Sequence, residues 1–458
     1  MCGILGMVSV VGQNVAREIR LGLYDLQHRG EQGAGIALLD GENYWVRKSR
    51  GLVTEVFSEE VMESAFGSLG IGHVRYSTIG DLADDAISVN VQPLHGDFYG
   101  EPFWVVHNGN LIELESFKKE AEEKGYHFRT TSDTEVIVAL LSVSKTRDFL
   151  EALLEVLPRL KGAFSLIILY KNKVIGVRDR FGIRPLCLGR NDNNFTLASE
   201  SCAFNTTKSH FLFDIQPGEL IVLDEDGINS KIGNRPFIWA GKPQLKICIF
   251  EFVYFARPDS IIDGKPVYSY RKKAGEFLAK DCSVEADIVI PVPDSGRCYD
   301  MGFSQASGIP LEQGIFRNRY FATRTFLTQR DVNRSSLQGI KMHVIEEVVR
   351  GKRVVGIEDS IIRANVAPEV VAMLRRAGAR EVHLRIGSSP VCFTCHLGID
   401  MATKGELIAS SLSVEEITRH VQADSLAYLS QERMIEASGF NRENLSMGCF
   451  TGEYAVTP

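Results

Sequence analysis

The residues best placed to do chemistry stand at the front of the chain, which opens M-C-G-I-L-G. A cysteine in second place is small enough for processing to remove Met1, and Cys2 then carries a free α-amine and a thiol on one residue. That pair is a nucleophile with its own base, because the amine takes the thiol proton and no distant histidine is needed. An α-amine titrates near ~8 and a thiol near ~8.5, so proton exchange between them is nearly balanced at neutral pH. Read alone, the position also fits a small apolar residue at the start of a buried strand. Four polar, glycine-rich pieces bear on the choice: 27-QHRGEQGAGI, 72-GHVRYSTIG, 107-HNGNL and 131-TSDTE. An acyl-transfer nucleophile needs oxyanion donors, which the Asn108 side-chain amide and the Gly109 backbone N–H would supply. Arg75 offers a bidentate fork for a carboxylate, and Asp133 a counter-charge for an ammonium. A glutamine side-chain amide held this way would lie against the Cys2 sulfur and yield a glutamyl thioester and ammonia. Each piece also has a plainer use: HNGN as a hairpin turn, SDTE as a helix cap, HRG as a helix C-terminus with Gly behind it.

The elements that must position these residues follow from hydrophobic periodicity. Strands are predicted at 2-CGILGMVSV, 70-GIGHVRYST, 103-FWVVHNGNL, 163-AFSLIILY, 174-VIGVRD and 219-ELIVLD. Helices are predicted at 14-NVAREIRLGLYDLQHRG, which ends at a Gly, and 131-TSDTEVIVALLSVS, which opens with an N-cap. Strands, then helices, then strands again suggest sheets packed face to face with helices outside. The rhythm then changes. Strands at 287-DIVIPVPDSG, 353-RVVGIEDSI and 380-REVHLRIGSS alternate with helices, one of them from Pro368 to about Ala377. Two of these strands end in an acid and a small-residue loop, as in a parallel sheet that binds ligands at its C-terminal strand ends. The turn-rich stretch 226–245 makes a join, and 413-SVEEITRHVQADSLAYLS reads as helix. The expected division is residues 2–235, 246–412, and a helical and loop extension over 413–458.

The bulk numbers bound the rest. A chain of 458 residues is too long for one core. Its 44% hydrophobic and 24% charged residues are those of an ordinary globular protein. A net charge of -7 argues against a nucleic-acid surface, and no long apolar run argues for a membrane. Nine scattered cysteines fit a reducing, cytoplasmic setting better than a disulfide framework.

Taken in order behind a second-position cysteine, the four pieces resemble the class II, N-terminal-nucleophile glutamine amidotransferases. Further stretches narrow the resemblance to the glutamine phosphoribosylpyrophosphate amidotransferase family: 162-GAFSLIIL, 177-VRDRFGIRPLCLG, 198-ASES, 215-IQPGEL, 254-YFARPDSIIDG, 291-PVPDSGR, 318-NRY, RTF at 324–326, and 398-GIDM. Asparagine synthetase and glucosamine-phosphate synthase share the style of the first half but neither ARPDS nor PVPDSG. The resemblance implies a four-layer αββα glutaminase domain followed by an α/β type I phosphoribosyltransferase-like domain. It implies that glutamine is hydrolysed at Cys2 and that ammonia passes inside the protein to phosphoribosylpyrophosphate, giving 5-phosphoribosylamine for purine biosynthesis. Asn108 and Gly109 match the oxyanion hole, and Arg75, Thr78 and Asp133 match the glutamine pocket. Arg29 and Gly30 match the segment beside the nucleophile. Asp294, Ser295, Gly296, Arg319, Arg324 and Lys341 match a pyrophosphate pocket. Glu358 and Asp359 match the acids that hold ribose hydroxyls and Mg²⁺, with Ser360, Arg363, Ala364 and Asn365 in the loop behind them. A homo-oligomer is also implied.

The second site departs from the family pattern. The loop that typically reads Gly-Thr-Thr-Ser is here Ala364-Asn365-Val366-Ala367, then Pro368. A backbone with φ > 0 is strained without Gly, and two or three hydrogen bonds to a phosphate are lost, at ~1.5–3 kcal/mol each. Gly339 stands where a basic residue is usual, and His343 where an Asn is. Two alternatives therefore stand beside the full reaction: a paralogue feeding ammonia to another acceptor or partner, and a catalytically silent regulatory relative. Some members carry a [4Fe–4S] cluster on four thiolates. Cys248, Cys395 and Cys449 match three of them, the fourth position is Ser446, and Cys392 is the candidate replacement in a C-x-x-C spacing. The other reading of these thiols is as small packed hydrophobes.

Overall fold

A computed structural model describes residues 1–76, 89–228, 237–318, 342–399, 401 and 403–457. All six strands expected in the first half form. They join shorter strands in two antiparallel sheets. The first sheet runs in the order His210–Asp214, Cys187–Arg190, Asn194–Ala198, Gly3–Ser9, Leu69–Arg75, Gly33–Asp40 and Asn43–Arg50. The second is centred on Lys161–Tyr170, between Lys173–Arg178 and Glu101–Ile112.

Alternation along each strand builds the layers. Ile4 and Val8 face inward, against Val106, Ile167, Leu169 and Val174 of the second sheet. Leu5 and Met7 face outward, against Ile19 and Leu23 of helix Ala16–Asp25. On the far side, helices Thr134–Ser142 and Phe149–Val156 cover Phe103, Val105, Leu166 and Ile168. The result is helix, sheet, sheet, helix.

The second half is a parallel sheet of Ile288–Pro291, Arg353–Glu358, Glu381–Ile386 and Ser425–Tyr428. Helices Val267–Asp281, Tyr299–Ser307 and Ala367–Arg376 flank it. The segment 413–458 behaves differently from the extension expected. Helix Val414–Val421 stops where Gln422 takes φ +60. Ser425–Tyr428 then becomes an edge strand of the parallel sheet, and Leu445–Ser446 pairs with Ile247–Cys248. No helix among the described residues is long and apolar enough to cross a membrane.

The halves are bolted together by a buried charge. Arg178 forks onto Asp263, with 2.8 Å from each terminal nitrogen. It also donates to the carbonyls of Arg184, Ile215 and Gly182 at 2.6 to 2.8 Å. Beside it, burial pushes Asp179 up to about 6, and burial together with Asp263 pushes Asp214 up to about 6. The folded protein therefore holds protons that the unfolded chain releases between about pH 4 and 6. These two groups favour folding below that window, and the contribution is lost as pH rises through about 6. Asp214→Asn should thus gain on the parent as pH rises: the difference in Tm, variant minus parent, becomes more positive from pH 4 to pH 7. A pH-independent difference in thermal melts would contradict this.

Candidate active site

Cys2 precedes a central strand, and that placement holds it. Gly3 pairs with Val74 on one side and Leu5 with Ala198 on the other. The Ile4 N–H donates to Ser199 Oγ, and the Ser199 N–H returns to the Ile4 carbonyl, both at 3.0 Å. Arg29 Nε donates to the Cys2 carbonyl at 2.9 Å, and Cys2 Sγ lies 3.8 Å from the Tyr76 carbonyl oxygen that it points to. Met1 is buried, and that burial pushes the amine it carries down to about 4. While Met1 is attached, this amine belongs to Met1 and Cys2 has no free amine of its own.

Gly30 packs its backbone under Tyr76, since a Cβ there would lie 2.4 Å from the carbonyl carbon of Arg75. Arg75, Gly109 and Asp133 line one cavity of about 240 Å³ together with Cys2 and Tyr76. Arg75 is steadied by its bond to the Asn90 carbonyl at 2.8 Å. Asp133 caps helix Thr134–Ser142, and its second oxygen accepts the Leu111 N–H at 2.8 Å. The HNGN piece is not a hairpin. It lies within strand Glu101–Ile112, with Asn108 opposite Ser165 and Gly109 opposite Phe164. Gly109 takes φ +153, and a Cβ there would sit 1.9 Å from the Ala163 carbonyl oxygen. Asn108 is fully buried, yet neither its amide nitrogen nor its oxygen has a partner among the described residues. A buried amide left unpartnered costs roughly 1–3 kcal/mol.

A second cavity, of about 360 Å³, opens at the C-terminal end of strand Arg353–Glu358. Glu358, Ser360, Arg363, Ala364 and Asn365 line it, facing Phe250, Tyr254 and Phe255. Burial, then the neighbouring Asp359, pushes the Glu358 carboxyl well above its ordinary range, and its Oε2 has no partner among the described residues. Asp359 accepts the Ser360 hydroxyl at 2.5 Å. Two adjacent buried carboxyls, one with an orphan oxygen, fit a cation or a pair of sugar hydroxyls. Gly296 packs against the same strand, where a Cβ would lie 2.1 Å from the Ile357 carbonyl oxygen, and Ser295 bonds Asp359. Asp294 lies outward and pairs with Arg317. Ala364 has φ +50, the strained conformation expected of this loop. Thr78, Arg319, Arg324 and Lys341 lie outside the described residues.

A glutamine amidotransferase domain model matches residues 79–206. The amidophosphoribosyltransferase of Methanocaldococcus jannaschii is 44% identical over 99% of this chain and 97% of its own length. That of Archaeoglobus fulgidus is 41% identical over 100% and 98%. The chain belongs to the amidophosphoribosyltransferase family. A solved structure of glutamine phosphoribosylpyrophosphate amidotransferase from B. subtilis, complexed with ADP and GMP, superposes over 100% of this chain and 98% of that one, with a TM-score of 0.91 at 37% identity. Members are glutamine amidotransferases and glycosyltransferases, and the two halves described above are their N-terminal-nucleophile and phosphoribosyltransferase folds.

The iron–sulfur expectation does not fit. Cys248, Cys395 and Cys449 are buried in one core, but Cys392 is turned away, its Sγ 3.3 Å from the Ala409 carbonyl oxygen. Burial pushes the Cys248 thiol up to about 11 and the Cys449 thiol well above its usual value. Ser446, beside Cys248, has no thiol to give. Among the described residues no group of three or more His, Cys, Asp or Glu is placed to hold a metal ion.

Several residues at the site were given no role by the motifs, although Tyr76, His107 and Glu200 stand within quoted stretches. Tyr76 lines both cavities. His107, whose Nδ1 is 3.0 Å from Thr134 Oγ1, steadies the strand beside Asn108. Glu200 and Glu251 flank Arg29; the signal for Glu251 was a lone acid in the apolar run 249-IFEFVYF. For the strained loop, Ala364→Gly should stabilise the protein by about 0.5–1 kcal/mol in chemical unfolding, the relief of φ exceeding the added freedom of the unfolded chain. A loss of stability would contradict the strain.

Proposed function

We propose that this chain hydrolyses glutamine at Cys2 and delivers the nitrogen to phosphoribosylpyrophosphate, releasing pyrophosphate and forming 5-phosphoribosylamine for purine biosynthesis. One observation carries the first half: a second-position thiol on a cavity shared with Arg75 and Asp133, beside the unpartnered buried amide of Asn108. Arg75 takes the glutamine α-carboxylate and Asp133 its ammonium. The Cys2 amine removes the thiol proton, and sulfur attacks the side-chain carbonyl. The Asn108 amide and the Gly109 N–H receive the oxyanion, each such donor lowering the barrier by about 3 kcal/mol. The tetrahedral adduct collapses to a thioester as the protonated amine returns its proton to the leaving nitrogen. Water, deprotonated by the same amine, then frees glutamate.

Tyr76, on both cavity walls, marks where ammonia leaves one pocket for the other. At the second site Glu358 and Asp359 would hold the ribose hydroxyls and a Mg²⁺, which supplies positive charge against the departing pyrophosphate. The Ala364–Ala367 loop offers the 5′-phosphate the Asn365 side chain and backbone amides. The comparisons favour neither a different acceptor nor a silent regulatory relative. Cys248, Cys395 and Cys449 read as packed thiols of the core, and no step passes through them.

The test separates the halves. Cys2→Ala should abolish glutamine-dependent phosphoribosylamine formation while ammonium chloride still supports it within about twofold. Asn108→Ala should lower glutaminase kcat about 10²–10³-fold. Ammonia release surviving in Cys2→Ala would overturn the assignment.

A further inference from the structure

The fully buried Arg29 reaches the nucleophile with one nitrogen and a carboxylate with the other two. Its Nε holds the Cys2 carbonyl, while Nη1 and Nη2 donate to the two oxygens of Glu251 at 3.0 and 3.1 Å. A bidentate fork of this kind fixes the guanidinium plane, and so the direction from which the Cys2 carbonyl is gripped. The Cys2 thiol and α-amine hang from the atoms next to that carbonyl. Arg184, also fully buried, donates at 3.5 Å to the Glu251 oxygen that Arg29 Nη2 also reaches. Arg29 and Arg184 thus balance Glu200 and Glu251, with His28 also against Glu200.

Glu251 belongs to the second half of the chain. It begins a π-helical turn, Glu251–Phe255, a geometry that often marks functional positions. The same turn presents Tyr254 and Phe255 to the second cavity. Its carbonyls are pinned. Arg271 donates to those of Phe252 and Tyr254, at 2.9 and 3.0 Å. The Tyr299 hydroxyl donates to that of Val253 at 3.1 Å, and Tyr299 opens the helix directly after the Asp294–Cys298 loop.

We propose that Glu251 is a positioning residue for Cys2, acting through Arg29, and that the π turn carrying it ties the setting of the nucleophile to the wall of the acceptor pocket. This rests on the reaction proposed above. A shift of the turn when the acceptor pocket fills moves the carboxylate that orients Arg29, and so the attitude of the Cys2 carbonyl.

Two variants keep the buried charges balanced, so that loss of folding does not decide the matter. Glu251→Asp withdraws the carboxylate by one methylene. The pair Glu251→Gln with Arg184→Gln removes one charge of each sign. Glutaminase kcat and the KM for glutamine are measured with and without phosphoribosylpyrophosphate and Mg²⁺, alongside phosphoribosylamine formation from ammonium chloride. The expected result is a kcat lowered tenfold or more in the paired variant and less in Glu251→Asp. KM stays within twofold, the stimulation by phosphoribosylpyrophosphate falls toward one, and the ammonia-dependent rate stays within twofold of the parent. An unchanged glutaminase kcat, or an ammonia-dependent rate falling in parallel with it, overturns the positioning role. A parent enzyme indifferent to phosphoribosylpyrophosphate overturns the link to the acceptor wall. A parent that makes no phosphoribosylamine from ammonia fails the reaction assignment instead, and the kcat-against-KM split still decides Glu251.

Discussion

Chain ends fray, because they have neighbours on one side only. In the reaction proposed above the nucleophile sits at such an end, because its base is the terminal amine itself. Much of the molecule can be understood as the means of holding that end still. Strand Gly3–Ser9 is not at an edge of its sheet but in the middle, clamped by Leu69–Arg75 and Asn194–Ala198. Leu5 and Met7 are locked under a helix while Ile4 and Val8 are locked against the second sheet. What the strands cannot reach, the Cys2 carbonyl, is taken by Arg29. Burying that guanidinium demands carboxylates, because an unpaired buried charge is strongly destabilising. Glu200 and Glu251 meet the demand. Burial alone would raise the Glu200 carboxyl, but His28 and Arg29 hold it well below its ordinary range.

The second carboxylate comes from the other half, and so the two halves are not independent bodies. Their apolar core is continuous as well: Met1, Ala163 and Ile183 share a cluster with Phe252, Leu397 and Phe450. The second cavity has an aromatic wall of Phe250, Tyr254 and Phe255 and is lined by Glu358, whose carboxyl burial pushes well above its ordinary range, as burial also raises the adjacent Asp359.

How much of this was legible depended on the range of the interactions. Strands such as 163-AFSLIILY announced themselves because a short apolar run between turn signals is local. Asn108 and Gly109 were legible as chemistry but ambiguous as structure. An Asn-Gly pair is the strongest hairpin signal, and only the cross-strand partners Ser165 and Phe164 show that it lies in mid-strand. The strand Ser425–Tyr428 was hidden in a helical pattern because its neighbour, Glu381–Ile386, lies some forty residues earlier. Cys392 matched a chelating spacing, yet sequence spacing says nothing of direction, and its sulfur faces Ala409. The strain at Ala364 was foreseeable, since a loop built for glycine keeps its φ when the residue changes. Glu251 was the hardest to see. Its partner is 222 positions away, and only its isolation within an apolar run hinted that a buried cation must answer it.

The central claim is that the working base is the amine of Cys2, and it is tested by comparing the same protein with and without Met1. Material made in cells lacking methionine aminopeptidase activity is assayed for glutaminase, trimmed with the purified aminopeptidase, and assayed again, with intact mass read at each stage. The account predicts negligible turnover before trimming and full turnover after the loss of one methionine. Equal glutaminase rates in the two forms would contradict it.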